Sequence, residues 1–173
     1  MCNIDAARRQ RSDVSLWRRI EALDLSLMTL KLARTFPKLT DEDCRVVEEE
    51  YRRFLYLSLQ HEGATIVPVD IVDEFWHFHI LDTAKYARDC IAQFGSLLHH
   101  FPYLGLRGPA DEENLVAAFG DTKAIYRREF GEDLMGRLRG IRERAADYGF
   151  DLSAGHSTCS IAAISSDNAV HAT

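Results

Sequence analysis

Apolar residues recur along most of this chain at steps of three and four. Between residues 15 and 36 they stand at Leu16, Ile20, Leu23, Leu27, Leu30 and Ala33. This spacing places apolar side chains on one face of an α-helix, whereas a half-buried strand alternates apolar and polar residues. No segment of the chain shows sustained alternation of that kind. The pattern therefore predicts an all-α protein.

Helix boundaries follow from caps and breakers. Pro37 ends the first helix, Thr40 and the acidic residues after it begin a second, and Gly63 ends that one. Asp70 is a good cap for a third helix, whose apolar pattern continues to Gly95. The five expected helices cover residues 15–36, 40–60, 70–95, 112–130 and 133–148. They predict a single-domain bundle of about five helices over residues 13–149.

The two ends of the chain differ from this helical domain. Residues 1–12 are polar, and we expect them to be a flexible N-terminus. After Gly149 the sequence becomes small and polar without a sustained period, so residues 150–173 are expected to form a disordered, low-complexity tail.

Composition excludes several classes of function. The net charge of −6 argues against general nucleic-acid binding, which depends on lysines and arginines that neutralise phosphates. The four cysteines are scattered without a C-x-x-C pair, which is typical of reduced thiols in the cytoplasm. The N-terminal residues carry no apolar signal region, and no stretch approaches the ~20 apolar residues that span a bilayer. We expect a cytoplasmic protein with no membrane association.

The segment DEFWHFHILDT, residues 73–83, contains the histidines His77 and His79. On the expected third helix, one stripe faces the core and contains Val72, Trp76, Ile80, Ala84, Ala87, Ile91 and Phe94. Asp73 and His77 lie together on one margin of that stripe, one turn apart. His79 lies on the opposite margin, because two residues of helix turn a side chain by ~200°. We therefore predict that the two histidines serve separate roles rather than binding one ion together.

A metal site is the most specific chemistry that this segment favours. Asp73 and His77 are the first predicted ligands, and the adjacent pair His99-His100 in the apolar loop after the helix supplies the next. Glu74 is a second-tier ligand, as is His79. Two imidazoles and one carboxylate suit one divalent transition metal, with iron, zinc and copper all open.

Three residues near the predicted ligands are candidates for catalytic roles: His79, Asp82 and Tyr86. If the domain is an enzyme, which remains open, a metal-dependent oxidoreductase or hydrolase acting on a small molecule or peptide is expected. The alternative is a non-enzymatic interaction module with structural histidines. In that hypothesis Asp73 orients His77, Asp82 or Tyr86 holds His79, and residues 99–102 dock a protein partner.

Three longer motifs resemble a known family. The run VDEFWHFHILDTAKYARDC, then FG-x-x-LHHFPYLGLRG, then AF-x-x-T-x-x-x-Y-x-x-x-FG is similar to the glycine-rich domain-containing protein-like family, in its short bacterial form. The resemblance covers roughly residues 15–135, although the glycine-rich tail of the plant members is missing. It implies a common fold and a site but names no reaction. The matching positions are Asp73, Trp76, His77, His79, Asp82, Tyr86, Asp89, His99, His100, Pro102 and Tyr103.

Overall fold

Seven α-helices make up nearly all of the regular structure in the residues that the computed structural model describes, namely 14–61, 63–148 and the backbone of 160–161. Helix α1 covers residues 14–21. The others are α2 (Ser26–Thr35), α3 (Asp41–Gln60), α4 (Asp70–Leu81), α5 (Thr83–Phe94), α6 (Pro109–Phe130) and α7 (Leu134–Ala145), which a 3-10 turn (Ala146–Tyr148) extends. The helical class predicted from the sequence is confirmed.

The expected number of five helices is wrong, because two of the expected helices are each divided. Residues 22–25 separate α1 from α2, and Asp82 separates α4 from α5. Helix α6 also begins earlier than expected, at Pro109, since proline is tolerated in the first turn of a helix. The last expected helix ends its α-helical part at Ala145.

A small antiparallel strand pair was not expected from the sequence. Strand β1 (His100–Phe101) pairs with β2 (Ser160–Ile161), with His100 opposite Ile161. Strand β2 falls within the predicted tail. The remaining residues of that tail, and the predicted flexible segment 1–12, lie outside the described residues.

The break at Asp82 changes which face of the chain is buried. Asp82 has φ −82° and ψ 69°, outside the helical region, and its carboxylate accepts a hydrogen bond from the Lys85 N–H as the cap of α5. The predicted core stripe holds through Trp76 but is wrong beyond the break. On α5, Tyr86 and Cys90 are buried, whereas Ile91 is 57% exposed.

Helices α3 and α4 pack against each other at the centre of the molecule. Trp76 on α4 is fully buried, and its ring lies 5.1 Å from that of Phe54 on α3. Tyr51 on α3 is also fully buried, with its ring 5.2 Å from that of Phe75. Aromatic pairs at such distances stabilise a core beyond the area that they bury. The segment with the two histidines is therefore held on the most buried helix pair.

Ion pairs attach the C-terminal helix to this centre. Arg142 on α7 makes a paired contact with Asp70 at the start of α4, with Nη2 2.7 Å from Oδ2. Arg137, at the other end of α7, donates from Nε to the buried carboxylate of Glu50 on α3 at 2.7 Å. Planar guanidinium groups suit such contacts with carboxylates. Within the described residues, no helix is long and apolar enough to cross a membrane.

Asp111 fixes the loop that follows β1. Its Oδ2 accepts hydrogen bonds from the backbone N–H of Gly105 at 2.7 Å and of Arg107 at 3.2 Å. The Arg107 side chain, together with these backbone donors, lowers the pKa of Asp111 to about 2. Gly105, at φ 87°, lets the chain turn close to α6.

The lowered pKa of Asp111 predicts a loss of stability in acid. A depressed carboxyl pKa contributes stability that is present above the ordinary value of 3.8 and is lost as the pH falls toward about 2. We expect the melting temperature of the wild type to fall more between pH 5 and pH 2 than that of Asp111→Asn, measured by circular dichroism. Asp121→Asn, at an exposed position of the same helix, is the control and should follow the wild type. Parallel curves for Asp111→Asn and the wild type would contradict this assignment.

Candidate metal centre

Helix α4 places Asp73 and His77 side by side, one turn apart. Residues four apart share a helix face, and here His77 Nε2 lies 3.6 Å from Asp73 Oδ2. The Asp73 side chain is buried, whereas that of His77 is 36% exposed. The Asp73 carboxylate thus lies in the protein interior, while the His77 side chain reaches the surface.

Strand β1 brings a third group to this pair. His100 Nε2 lies 2.9 Å from His77 Nε2 and 3.5 Å from Asp73 Oδ1. One ligand atom from each of the three residues lies within 4.8 Å of the others. Asp73, His77 and His100 are called the HDH cluster below.

The spacing in the HDH cluster is close to what a bound ion requires. Two atoms that each lie ~2.1 Å from an ion are roughly 3.0–3.6 Å apart when the angle between them is 90–120°. The distances from His77 Nε2, 2.9 Å to His100 and 3.6 Å to Asp73, lie close to the two ends of that range. The three residues therefore lie close enough together to bind a metal ion.

The other predicted ligands lie outside the HDH cluster. His99 is exposed, so the structure brings only the second histidine of the pair to Asp73. Glu74 Oε2 is 3.7 Å from His77 Nδ1, the ring nitrogen that faces away from the cluster contact. Glu74 thus flanks the His77 ring on the side opposite the cluster, beyond hydrogen-bond distance.

His79 is separated from the HDH cluster and buried. Its Nδ1 lies 2.9 Å from the hydroxyl of Tyr51, and its Nε2 lies 3.1 Å from Oδ2 of Asp89. The carboxylate that hydrogen-bonds His79 is Asp89 rather than the expected Asp82, because the break turns α5 back and brings Asp89 to this ring. The expected approach to Tyr86 is confirmed as a ring contact, with centroids 5.0 Å apart.

The surroundings of His79 favour its neutral form. Burial lowers the pKa of His79, and this outweighs the opposite effect of the Asp89 hydrogen bond. An ionised carboxylate only accepts hydrogen bonds, so Nε2–H donates to Asp89 and Nδ1 accepts from the Tyr51 hydroxyl. Sequence reasoning missed Tyr51, since a contact between α3 and α4 across 28 residues leaves no local signal.

Tyr86 and Asp82, the other catalytic candidates, make structural contacts. Tyr86 donates from its hydroxyl to the Leu98 carbonyl at 2.6 Å and accepts from Trp76 Nε1 at 3.1 Å. Burial raises the pKa of Tyr86 far above its ordinary value, which makes it a poor proton donor to solvent. Asp82 caps α5 at an exposed position. A catalytic role for either residue, or for His79, remains a prediction.

The fold and the cluster define a helical protein with a histidine–carboxylate site. The model of the UCP032817-like family matches residues 18–119, and the chain belongs to that family. The resemblance to the glycine-rich domain-containing protein-like family is therefore wrong, and roles implied by it lose their support. The matched region contains the whole HDH cluster. No curated protein and no solved structure matches the chain.

Proposed function

We propose that this protein binds one divalent transition-metal ion through Asp73, His77 and His100. The observation that carries the proposal is the convergence of the three ligand-type atoms within 4.8 Å, from a helix and from a strand 23 residues further along. An aspartate and a histidine one turn apart are common on helices. A second histidine that returns from a separate segment to the same point is a more specific arrangement.

The donor set restricts the metal and its chemistry. Imidazole nitrogens and one carboxylate suit iron, zinc or copper, and three protein ligands leave positions for water or a substrate. The exposed side of His77 leaves the ion accessible from solvent. A bound ion would supply either a Lewis acid or a redox centre, so we propose a metal-dependent hydrolase or oxidoreductase for a small molecule or peptide.

The buried thiols support a cytoplasmic setting for this protein. Cys44 and Cys90 are both free and buried. Free buried cysteines persist most readily in a reducing compartment. We therefore propose that the protein works in the cytoplasm.

A second candidate is an interaction module in which the histidines are structural. The 2.9 Å separation of the two Nε2 atoms is also a hydrogen-bond distance, which one protonated and one unprotonated nitrogen satisfy without metal. In this hypothesis the pair fixes β1 to α4 and presents the exposed Tyr103 to a protein partner.

Metal content distinguishes the two candidates. Protein purified without a histidine tag is incubated with Fe²⁺, Zn²⁺ or Cu²⁺, desalted and measured by mass spectrometry of the elements. We expect one equivalent in the wild type and none in His77→Ala or His100→Ala, because two remaining ligands hold an ion weakly. The matched control is His99→Ala, whose exposed side chain lies beside His100 but outside the cluster, and it should retain the metal.

Two further measurements complete this test. His79→Ala should keep the metal wherever it remains folded, because His79 contacts Tyr51 and Asp89 instead. Wild-type protein that stays free of all three metals, with a melting temperature unchanged by a chelator, would exclude the metal centre and favour the interaction module.

A further inference from the structure

We propose that the Tyr86 hydroxyl positions His100 for metal binding, an inference that rests on the metal site proposed above. Tyr86 is not one of the three residues of the HDH cluster. It acts through the backbone that carries His100 and through the ring that packs on His100. Tyr86 is thus a positioning residue rather than a ligand.

The Tyr86 hydroxyl joins three parts of the site. It donates to the carbonyl of Leu98, two residues before His100, at 2.6 Å. It also accepts from Nε1 of Trp76 at 3.1 Å, and the Trp76 ring lies 4.6 Å from that of His100. Trp76, Tyr86 and Leu98 are each buried, so the packed core holds all three groups in place.

The effect of these contacts falls on His100 more than on the other ligands. Asp73 and His77 are held by the α4 helix itself, whose hydrogen bonds fix their backbone. His100 lies in a two-residue strand after a segment without regular structure, so its position depends on the pairing of that strand with β2 and on side-chain contacts. The Leu98 carbonyl and the Trp76 ring are two such contacts, and the hydroxyl of Tyr86 links both.

The break at Asp82 makes this arrangement feasible. Trp76 and Tyr86 are ten residues apart, which in one straight helix corresponds to ~15 Å along the axis. The change of direction at Asp82 brings the two side chains to hydrogen-bond distance. The segment from α4 to β1 therefore contains all three residues of the HDH cluster, together with α5, whose Tyr86 positions His100.

Tyr51 offers a matched control on the neighbouring helix. Its hydroxyl, like that of Tyr86, is buried and makes a 2.9 Å contact with a side chain of α4, in this case Nδ1 of His79. Removing the Tyr51 hydroxyl deletes one buried polar contact and removing the Tyr86 hydroxyl deletes two, so the unfolding free energies of both variants are measured alongside their metal binding. Of these two hydroxyls, that of Tyr86 is the one that hydrogen-bonds to the segment before His100.

Cobalt binding tests the inference, because Co²⁺ replaces zinc or iron in such sites and its visible spectrum reports the geometry of its ligands. The full chain is titrated with Co²⁺ as wild type, Tyr86→Phe and Tyr51→Phe. We expect the Kd of Tyr86→Phe to rise about 10–100-fold, the usual effect of removing a group that orients a ligand. Its visible bands should also shift, whereas Tyr51→Phe should match the wild type in both respects.

Each outcome has one meaning. A wild-type Kd and spectrum in Tyr86→Phe would overturn the positioning role while leaving the metal site intact. Equal weakening in both tyrosine variants would also overturn it, because the effect would then follow general stability. Failure of the wild type to bind Co²⁺ would instead remove the proposed metal site. If Tyr86→Phe does not fold, Trp76→Phe replaces it in the Co²⁺ titration and is judged by the same criteria. This variant retains a ring beside His100 but loses the donor to the Tyr86 hydroxyl.

Discussion

Replacing Trp76 by alanine should lower the free energy of unfolding by about 3–5 kcal/mol, as large-to-small changes of aromatic residues in a core do. The Trp76 side chain is fully buried and contacts the rings of Phe54 and His100 at 5.1 Å and 4.6 Å. The change leaves a cavity between α3, α4 and β1, and it removes the donor to the Tyr86 hydroxyl. Urea unfolding followed by circular dichroism measures the effect.

Trp17 provides the comparison for this measurement. It is the other tryptophan of the chain and lies partly exposed on α1, so Trp17→Ala should lower the free energy of unfolding clearly less. A loss below about 1 kcal/mol in Trp76→Ala would be incompatible with a fully buried indole in a close-packed core.

Replacing Glu50 by alanine should destabilise the protein by about 3 kcal/mol, the lower end of the range for breaking a buried ion pair. Glu50 is 2% exposed and accepts hydrogen bonds from Arg137 Nε at 2.7 Å and from the Tyr126 hydroxyl at 3.1 Å. Its removal leaves these donors without an acceptor at the junction of α3, α6 and α7. The lower end applies because Glu132 still contacts Arg137 at 2.9 Å.

The neighbouring residue supplies a matched control for Glu50. Glu49 contacts Arg137 at 3.0 Å, but its side chain is 45% exposed. An ion pair at the surface contributes little, so Glu49→Ala should change the unfolding free energy by less than about 1 kcal/mol. Equal effects of the two substitutions in urea unfolding would show that burial of Glu50 is not what makes its contacts important.

The parts of this structure that depend on local rules could be predicted from the sequence. Helical spacing identified the all-α class, and the four-residue step from Asp73 to His77 placed them on one face. The same geometry separated His77 from His79, and the structure gives these residues different partners. Each of these conclusions depends on the periodicity of one helix and on nothing more distant.

The break at Asp82 could not be found from periodicity, because apolar residues keep helical spacing through it. A local signal was nevertheless present, since Asp82 followed by Thr83 is a good start for a helix. Contacts between different helices and strands could not be predicted from the sequence either. Whether His99 or His100 faces Asp73 depends on how β1 pairs, and the hydrogen bond that His79 donates to Asp89 depends on the direction that α5 takes after the break.

The turn between α4 and α5 also has a consequence for the order in which the chain folds. His77 and His100 are separated by 23 residues, whereas Glu50 and Arg137 are separated by 87. Closing the shorter loop costs roughly 1 kcal/mol less conformational entropy. All three residues of the HDH cluster precede α6 and α7 in the chain. Loop length therefore favours contact among the residues of the HDH cluster over the earlier formation of the ion pair between Glu50 and Arg137.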